Sequence, residues 1–147
     1  MADFFTGFKI SSSGMTAQRM RMNTISSNIA NINTTRTPEG GPYRRKDVVF
    51  ESMPEVKNFG DILSATSPKS DFQRVQVTDV ISDTKAPLLK YEPDHPDANA
   101  DGYVAYPNIN LMEEMTNMIQ ANRSYEANIS ALQAAKDMAT SSLEIGR

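Results

Sequence analysis

From Asn110 to Ile145 the chain contains neither proline nor glycine, so nothing in this stretch obstructs a continuous helix. Asn110 stands where its side chain can cap the start, and Glu113 and Glu114 fall in the first turn, where the helix dipole favours negative charge. Leu111, Met118, Tyr125, Leu132 and Ala139 recur every seven residues. Met115, Asn122, Ile129, Lys136 and Leu143 form a second series, each four residues after a member of the first. Alternating steps of four and three place both series on one stripe, the seam of a coiled coil. The stripe covers about five heptads and about 50 Å. A helix of that length cannot bury its own stripe, so the rest of the chain must supply a partner.

The partner is sought at the other end. Phe4, Phe5, Phe8, Gly7 and Ser11 to Ser13 make an indefinite start, and a helical pattern takes over from Gly14. Met15, Met22 and Ile29 repeat at seven, with Gln18, Ile25 and Ile32 between them. The run Asn31-Ile32-Asn33-Thr34-Thr35 suits a helix exit, and Thr37-Pro38-Glu39-Gly40-Gly41-Pro42 breaks regular structure. Two heptad segments separated by some 75 residues must return to each other around an insertion. The expected fold is therefore α+β: long N- and C-terminal helices paired as an antiparallel coiled coil, with a small, mostly antiparallel β module projecting from them. The expected division is 1–36 for the N-terminal helical segment, 37–107 for the β-rich module with a loop at 53–70, and 108–147 for the C-terminal helix.

In the middle, Tyr43 to Phe50, Phe72 to Val80, Leu88 to Tyr91 and Tyr103 to Tyr106 have strand character, giving one sheet of three or four strands. Its modest core would draw on Val49, Phe72, Val75, Val77, Val80, Ile81 and Leu89. Met53 to Lys69 is turn-rich.

Composition restricts function more than it suggests one. A net charge of −3 argues against nucleic-acid binding, which needs concentrated Lys and Arg. The charge is uneven, +2 over Met1 to Pro42 and −2 over Asn108 to Arg147, which mildly favours pairing of the two ends. No apolar run is long enough for a membrane span, and Met1 to Ile10 lacks the basic start, apolar core and cleavage site of a signal peptide. With no cysteine there is neither disulfide nor thiolate metal site. Seven methionines lie in the terminal segments once Met1 and Met53 are set aside. Methionine serves as core filler, but also suits surfaces that repack against several neighbours. Gln18, Asn122 and Lys136 on the seams favour the second use, since such residues specify register or meet a third partner.

Candidate chemistry is sparse. Asp97-Ala98-Asn99-Ala100-Asp101-Gly102 matches the first half of a calcium loop, with oxygen ligands on alternate residues and glycine at the bend. The twelfth position is Asn108 rather than a bidentate carboxylate, and Pro93, Pro96 and Pro107 flank the motif where helices should be. A polar turn is the better reading, with a small calcium-binding module as the alternative. His95, the only histidine, is expected to be a turn residue bonded to its neighbours rather than a zinc ligand. Glu113 and Glu114, adjacent on a helix, point in different directions and cannot share a substrate. No serine lies in a G-x-S-x-G setting and no phosphate-binding glycine loop is present, so the expectation is no enzyme, no cofactor and no small-molecule substrate.

Ser13-Gly14-Met15-Thr16-Ala17-Gln18-Arg19, followed by Asn28-Ile29-Ala30-Asn31-Ile32-Asn33-Thr34-Thr35-Arg36-Thr37, resembles the signature of the flagellar rod and hook protein family. Glu113-Glu114-Met115 with Ala121 to Asn128 resembles the family's closing helix. Pro93 to Ala98, Gly102-Tyr103-Val104 and Tyr106-Pro107-Asn108 are similar to its proximal-rod members. The resemblance implies an axial building block of the bacterial flagellar basal body. It implies passage through the type III export apparatus without a cleaved signal, then assembly in the periplasm into the torque-carrying rod. The implied partners are copies of the chain and other rod proteins (FlgB, FlgF, FlgG and FliE), without membrane insertion.

In such a subunit the apolar assembly contacts would be Met15, Met22, Ile25, Ile29, Ile32, Leu111, Met115, Met118, Tyr125, Ile129 and Leu132, with Asn122 a polar member of the seam. Asn28, Asn31 and Asn33 are expected to hydrogen-bond backbone where the first helix ends, and Asn128 to bond between helices.

Overall fold

In the computed structural model, residues 2–54 and 73–145 are described. The first helix, α1, runs from Ala2 to Ala30, so it begins well before Gly14. Gly7 and Ser11 to Ser13 do not prevent it, because packing outweighs weak intrinsic propensity. Ser13 turns its hydroxyl back onto the Ile10 carbonyl (2.7 Å), which keeps that polar group satisfied inside the helix. After the exit come β1 (Lys46–Pro54), β2 (Gln73–Ser82), β3 (Leu88–Tyr91) and β4 (Tyr103–Tyr106), and then α2 (Leu111–Ile145). Asn110 caps α2: its Oδ1 accepts from the Met112 N–H at 3.0 Å and its carbonyl from the Glu114 N–H at 3.0 Å.

The two helices pack against each other along their length. Two contacts fix their relation. The Asn28 amide donates to Glu114 at 2.9 Å, and a methyl placed on Gly14 would come within 3.1 Å of the Asn128 amide. Moving back along α1 by fourteen residues moves forward along α2 by fourteen, so the pair is antiparallel. Fold class and pairing are as the heptads indicate.

The seam of α2 is turned by one position from the expected one. Glu114, Met118, Ala121, Tyr125, Asn128, Leu132, Ala135 and Ala139 are buried or half-buried and alternate in steps of four and three. The first heptad series keeps its place from Met118 on, whereas Leu111 is exposed. Met115, Asn122, Lys136 and Leu143 are also exposed, and the residue before each of the first three lies further in. Ile129 is half-buried beside Asn128. The cause is physical rather than compositional. Ala121 and Gly14 let the backbones approach, and Glu114 is tolerated inside because long-range partners satisfy it.

Among the described residues the middle forms two separate ribbons instead of one sheet. β1 and β2 are antiparallel, as are β3 and β4, with no pairing between the two sets. The β1–β2 ribbon does not project. It lies along α1, with Lys46 beside Asn28 and the Val75 N–H donating to the Ser13 hydroxyl at 3.3 Å. A bulge after Val49 leaves Thr78 unpaired, so Val80 pairs with Val48 and Val77 with Phe50. Those four side chains share one side of the ribbon and are its buried or half-buried valines and phenylalanine. Val49, Val75, Ile81 and Leu89 are exposed, which corrects the expected core; Phe72 and residues 55–69 of the turn-rich stretch lie outside the described residues. Met53 and Pro54 extend β1. The β3–β4 ribbon packs on no other helix or strand among the described residues, and its Val104 is fully buried beneath loops.

Candidate assembly interface

At the end of the helix pair where α1 stops and α2 starts, three distant pieces of chain meet in one polar knot. Asn28 is fully buried and uses its whole amide. Oδ1 accepts from the Lys46 N–H (2.9 Å) and the Tyr43 hydroxyl (3.1 Å), while Nδ2 donates to the Lys46 carbonyl (2.8 Å) and to Glu114 Oε2 (2.9 Å). Asn28 thus pairs with the Lys46 backbone as a neighbouring strand would, and fixes where β1 begins. Glu114, 1% exposed, accepts from Arg45 Nε through its other oxygen at 2.8 Å. Arg45 also bonds Asp47 (3.1 Å). Burial would lower the Arg45 pKa, but the bonds to Glu114 and Asp47 hold it above the ordinary value. A buried carboxylate is costly alone; here a guanidinium and an amide satisfy it.

The exit of α1 holds by local bonds. Asn31 Nδ2 donates to the Ser27 carbonyl (2.8 Å), as expected of an asparagine at a helix end. Asn33 is exposed. Asn128 bonds the Ser124 carbonyl of its own helix (2.8 Å) and lies against Gly14 of α1, and among the described residues it makes no inter-helix hydrogen bond.

The calcium-like half-loop is a polar turn. Asn99 Oδ1 accepts from the backbone N–H groups of Asp101 (3.1 Å) and Tyr103 (2.9 Å), and Asp97 accepts from the Thr35 hydroxyl (2.7 Å). His95 Nδ1 accepts from the Asp97 N–H (3.1 Å). These oxygens serve the turn and its tie to the α1 exit. Among the described residues no three His, Asp or Glu side chains converge as metal ligands.

Of the residues expected at an assembly surface, Ile25 and Asn28 are buried. Met15, Met22, Ile29, Asn31, Ile32, Met118, Tyr125, Asn128, Ile129 and Leu132 are half-buried; Asn33, Leu111, Met115 and Asn122 are exposed. Sequence reasoning passed over Glu114 and Arg45. No local pattern marks them, because two adjacent helical glutamates can both face solvent and Arg45 is 69 residues from Glu114.

Comparison with known proteins falls on the same elements. The family model described as "Flagella basal body rod protein" matches residues 8–36, and "Flagellar basal body rod FlgEFG protein C-terminal" matches residues 100–145. The flagellar basal-body rod protein FlgC of Borreliella burgdorferi is 44% identical over 96% of each chain. That of Bacillus subtilis is 42% identical over 97% of this chain and 98% of its own. That of Aquifex aeolicus is 40% identical over 94% and 93%. The chain belongs to the FlgC family of flagellar basal-body rod proteins. In this FlgC-family chain the two matched regions hold Asn28 and Glu114, while Arg45 lies between them. No described helix is long and apolar enough to cross a membrane.

Proposed function

We propose that this flagellar rod subunit builds the proximal rod by stacking its terminal helices, 1–36 and 108–147, against those of neighbouring subunits, with 37–107 as an accessory module. The observation that carries this reading is a second apolar side on α2. Met112, Met115 and Ile119 are 71%, 49% and 53% exposed and lie at i, i+3 and i+7, away from the Glu114–Met118–Ala121 seam. A helix apolar on two sides has use for two partners, and α1 covers only one. The role is mechanical: a tubular shaft that transmits torque, with no chemistry at a site. The neighbours are copies of the chain and the rod proteins FlgB, FlgF, FlgG and FliE. The chain reaches the periplasm through the flagellar export apparatus.

The test pairs Met115→Glu with Ile119→Glu in a motile bacterium whose own FlgC gene is deleted. The purified variant should keep the wild-type helix content and melting temperature, while the cells make no rod and do not swim. Normal swimming would overturn the reading.

A further inference from the structure

The heptads that bring α1 and α2 together do not say which heptad faces which. α2 has 35 residues against 29 in α1, so it can slide toward its own N-terminus by one heptad, about 10 Å, and keep nearly the full overlap. After such a slide Tyr125 replaces Met118, Leu132 replaces Tyr125, and Ala135 replaces Asn128 opposite Gly14. Most of the packing pattern survives, although Asn128 takes the place of the buried Ala121. The larger loss is at the junction: Ala121 replaces Glu114, so the buried Asn28 amide loses an acceptor and Arg45 loses its carboxylate. We propose that Glu114 is the positioning residue that selects the register of the helix pair, by reading Asn28 on α1 and Arg45 ahead of β1 at once. Its two oxygens are divided between two elements, so only one register satisfies both. This role belongs to the fold of the single chain and does not depend on the rod reading. A buried polar contact that costs stability yet fixes alignment is a known use of such groups in helix pairs.

The chain has no cysteine, so nitroxide labels can be placed cleanly at exposed positions, Thr16→Cys and Ser142→Cys, and their separation read by pulsed electron resonance. The otherwise wild-type chain and Glu114→Gln should each give one distance, because glutamine keeps an acceptor for Asn28. Glu114→Leu should remain helical and add a second population with the axial separation shorter by about 10 Å. Moving the carboxylate one heptad, Glu114→Ala with Ala121→Glu, should give the shorter distance alone. A single native distance in Glu114→Leu or in the moved-carboxylate variant overturns the proposal. So does loss of helix in Glu114→Leu, which would make the residue a condition of folding rather than of alignment. A broad distribution in the wild-type chain would leave no register to select, and overturns it equally.

Discussion

Asn28 carries more of the structure than any apolar residue of the first heptad series. It makes four hydrogen bonds at full burial, and two of them define the start of β1. Removing it leaves the Lys46 N–H and carbonyl unpaired and one oxygen of Glu114 without its donor. Asn28→Ala is therefore expected to destabilise the chain by about 3–5 kcal/mol, whereas Tyr43→Phe, which removes one bond to the same amide, should cost about 1 kcal/mol. Urea titrations of the two variants check this, and equal costs would contradict it. That Asn28 would bond backbone at a helix end was legible from its place in the Asn-rich exit. That the backbone would be Lys46, eighteen residues on and in another element, was not, because no local pattern connects the two.

Among the elements, the β3–β4 ribbon is the least supported by packing, so its polar ties matter most. Glu92 takes bonds from Lys90 and from the Tyr106 hydroxyl (2.8 Å), and the Glu92 N–H reaches the Gly102 carbonyl (2.9 Å). Gly102 sits at φ +80°, with the Tyr91 ring 2.9 Å from where a Cβ would be, so no other residue closes this turn without strain. Bonds from Lys90 and Tyr106 hold the Glu92 pKa below its ordinary value, and the same pairings raise those of Lys90 and Tyr106.

The signs follow from those directions. Stabilisation by Glu92 is fully present above the unfolded glutamate pKa, about 4.3, and is lost as pH falls through the lower folded value. Stabilisation by Lys90 and Tyr106 is fully present below about 10 and is lost at higher pH. The ribbon should thus stay closed between these limits and loosen first at either extreme. NMR of the Gly102 amide and the Tyr106 ring would follow it, and a response confined to mid-range pH would contradict this assignment.

For the whole molecule, burial is concentrated at one end of the helix pair. Asn28, Glu114, Ile25, Val48 and Ile109 are buried around the junction, while Phe8, Met138 and Leu143 toward the far end are exposed. Local opening should therefore be cheapest at the far end. Amide exchange on the dilute chain is expected to slow progressively from Ala2 toward Asn28 and from Ile145 back toward Glu114. Uniformly slow exchange would instead mean a rigid helical hairpin and would contradict this gradient.

Two long helices, their antiparallel pairing around an inserted module, and a turn at residues 97–102 are all legible in the amino-acid sequence. Unbroken stretches, cap residues, heptad spacing and glycine placement are local facts with local consequences. Tertiary structure decided the phase of the seam, the split of the sheet into two ribbons, and the docking of β1–β2 along α1. Spacing of four and three fixes how often a helix returns to its partner but not which neighbour faces inward. Met115 is the more apolar choice, yet Glu114 lies inside because Arg45 and Asn28, 69 and 86 residues away, satisfy its charge. The strands likewise had enough character to form, but only α1 offered a surface on which Val48, Phe50, Val77 and Val80 could be covered.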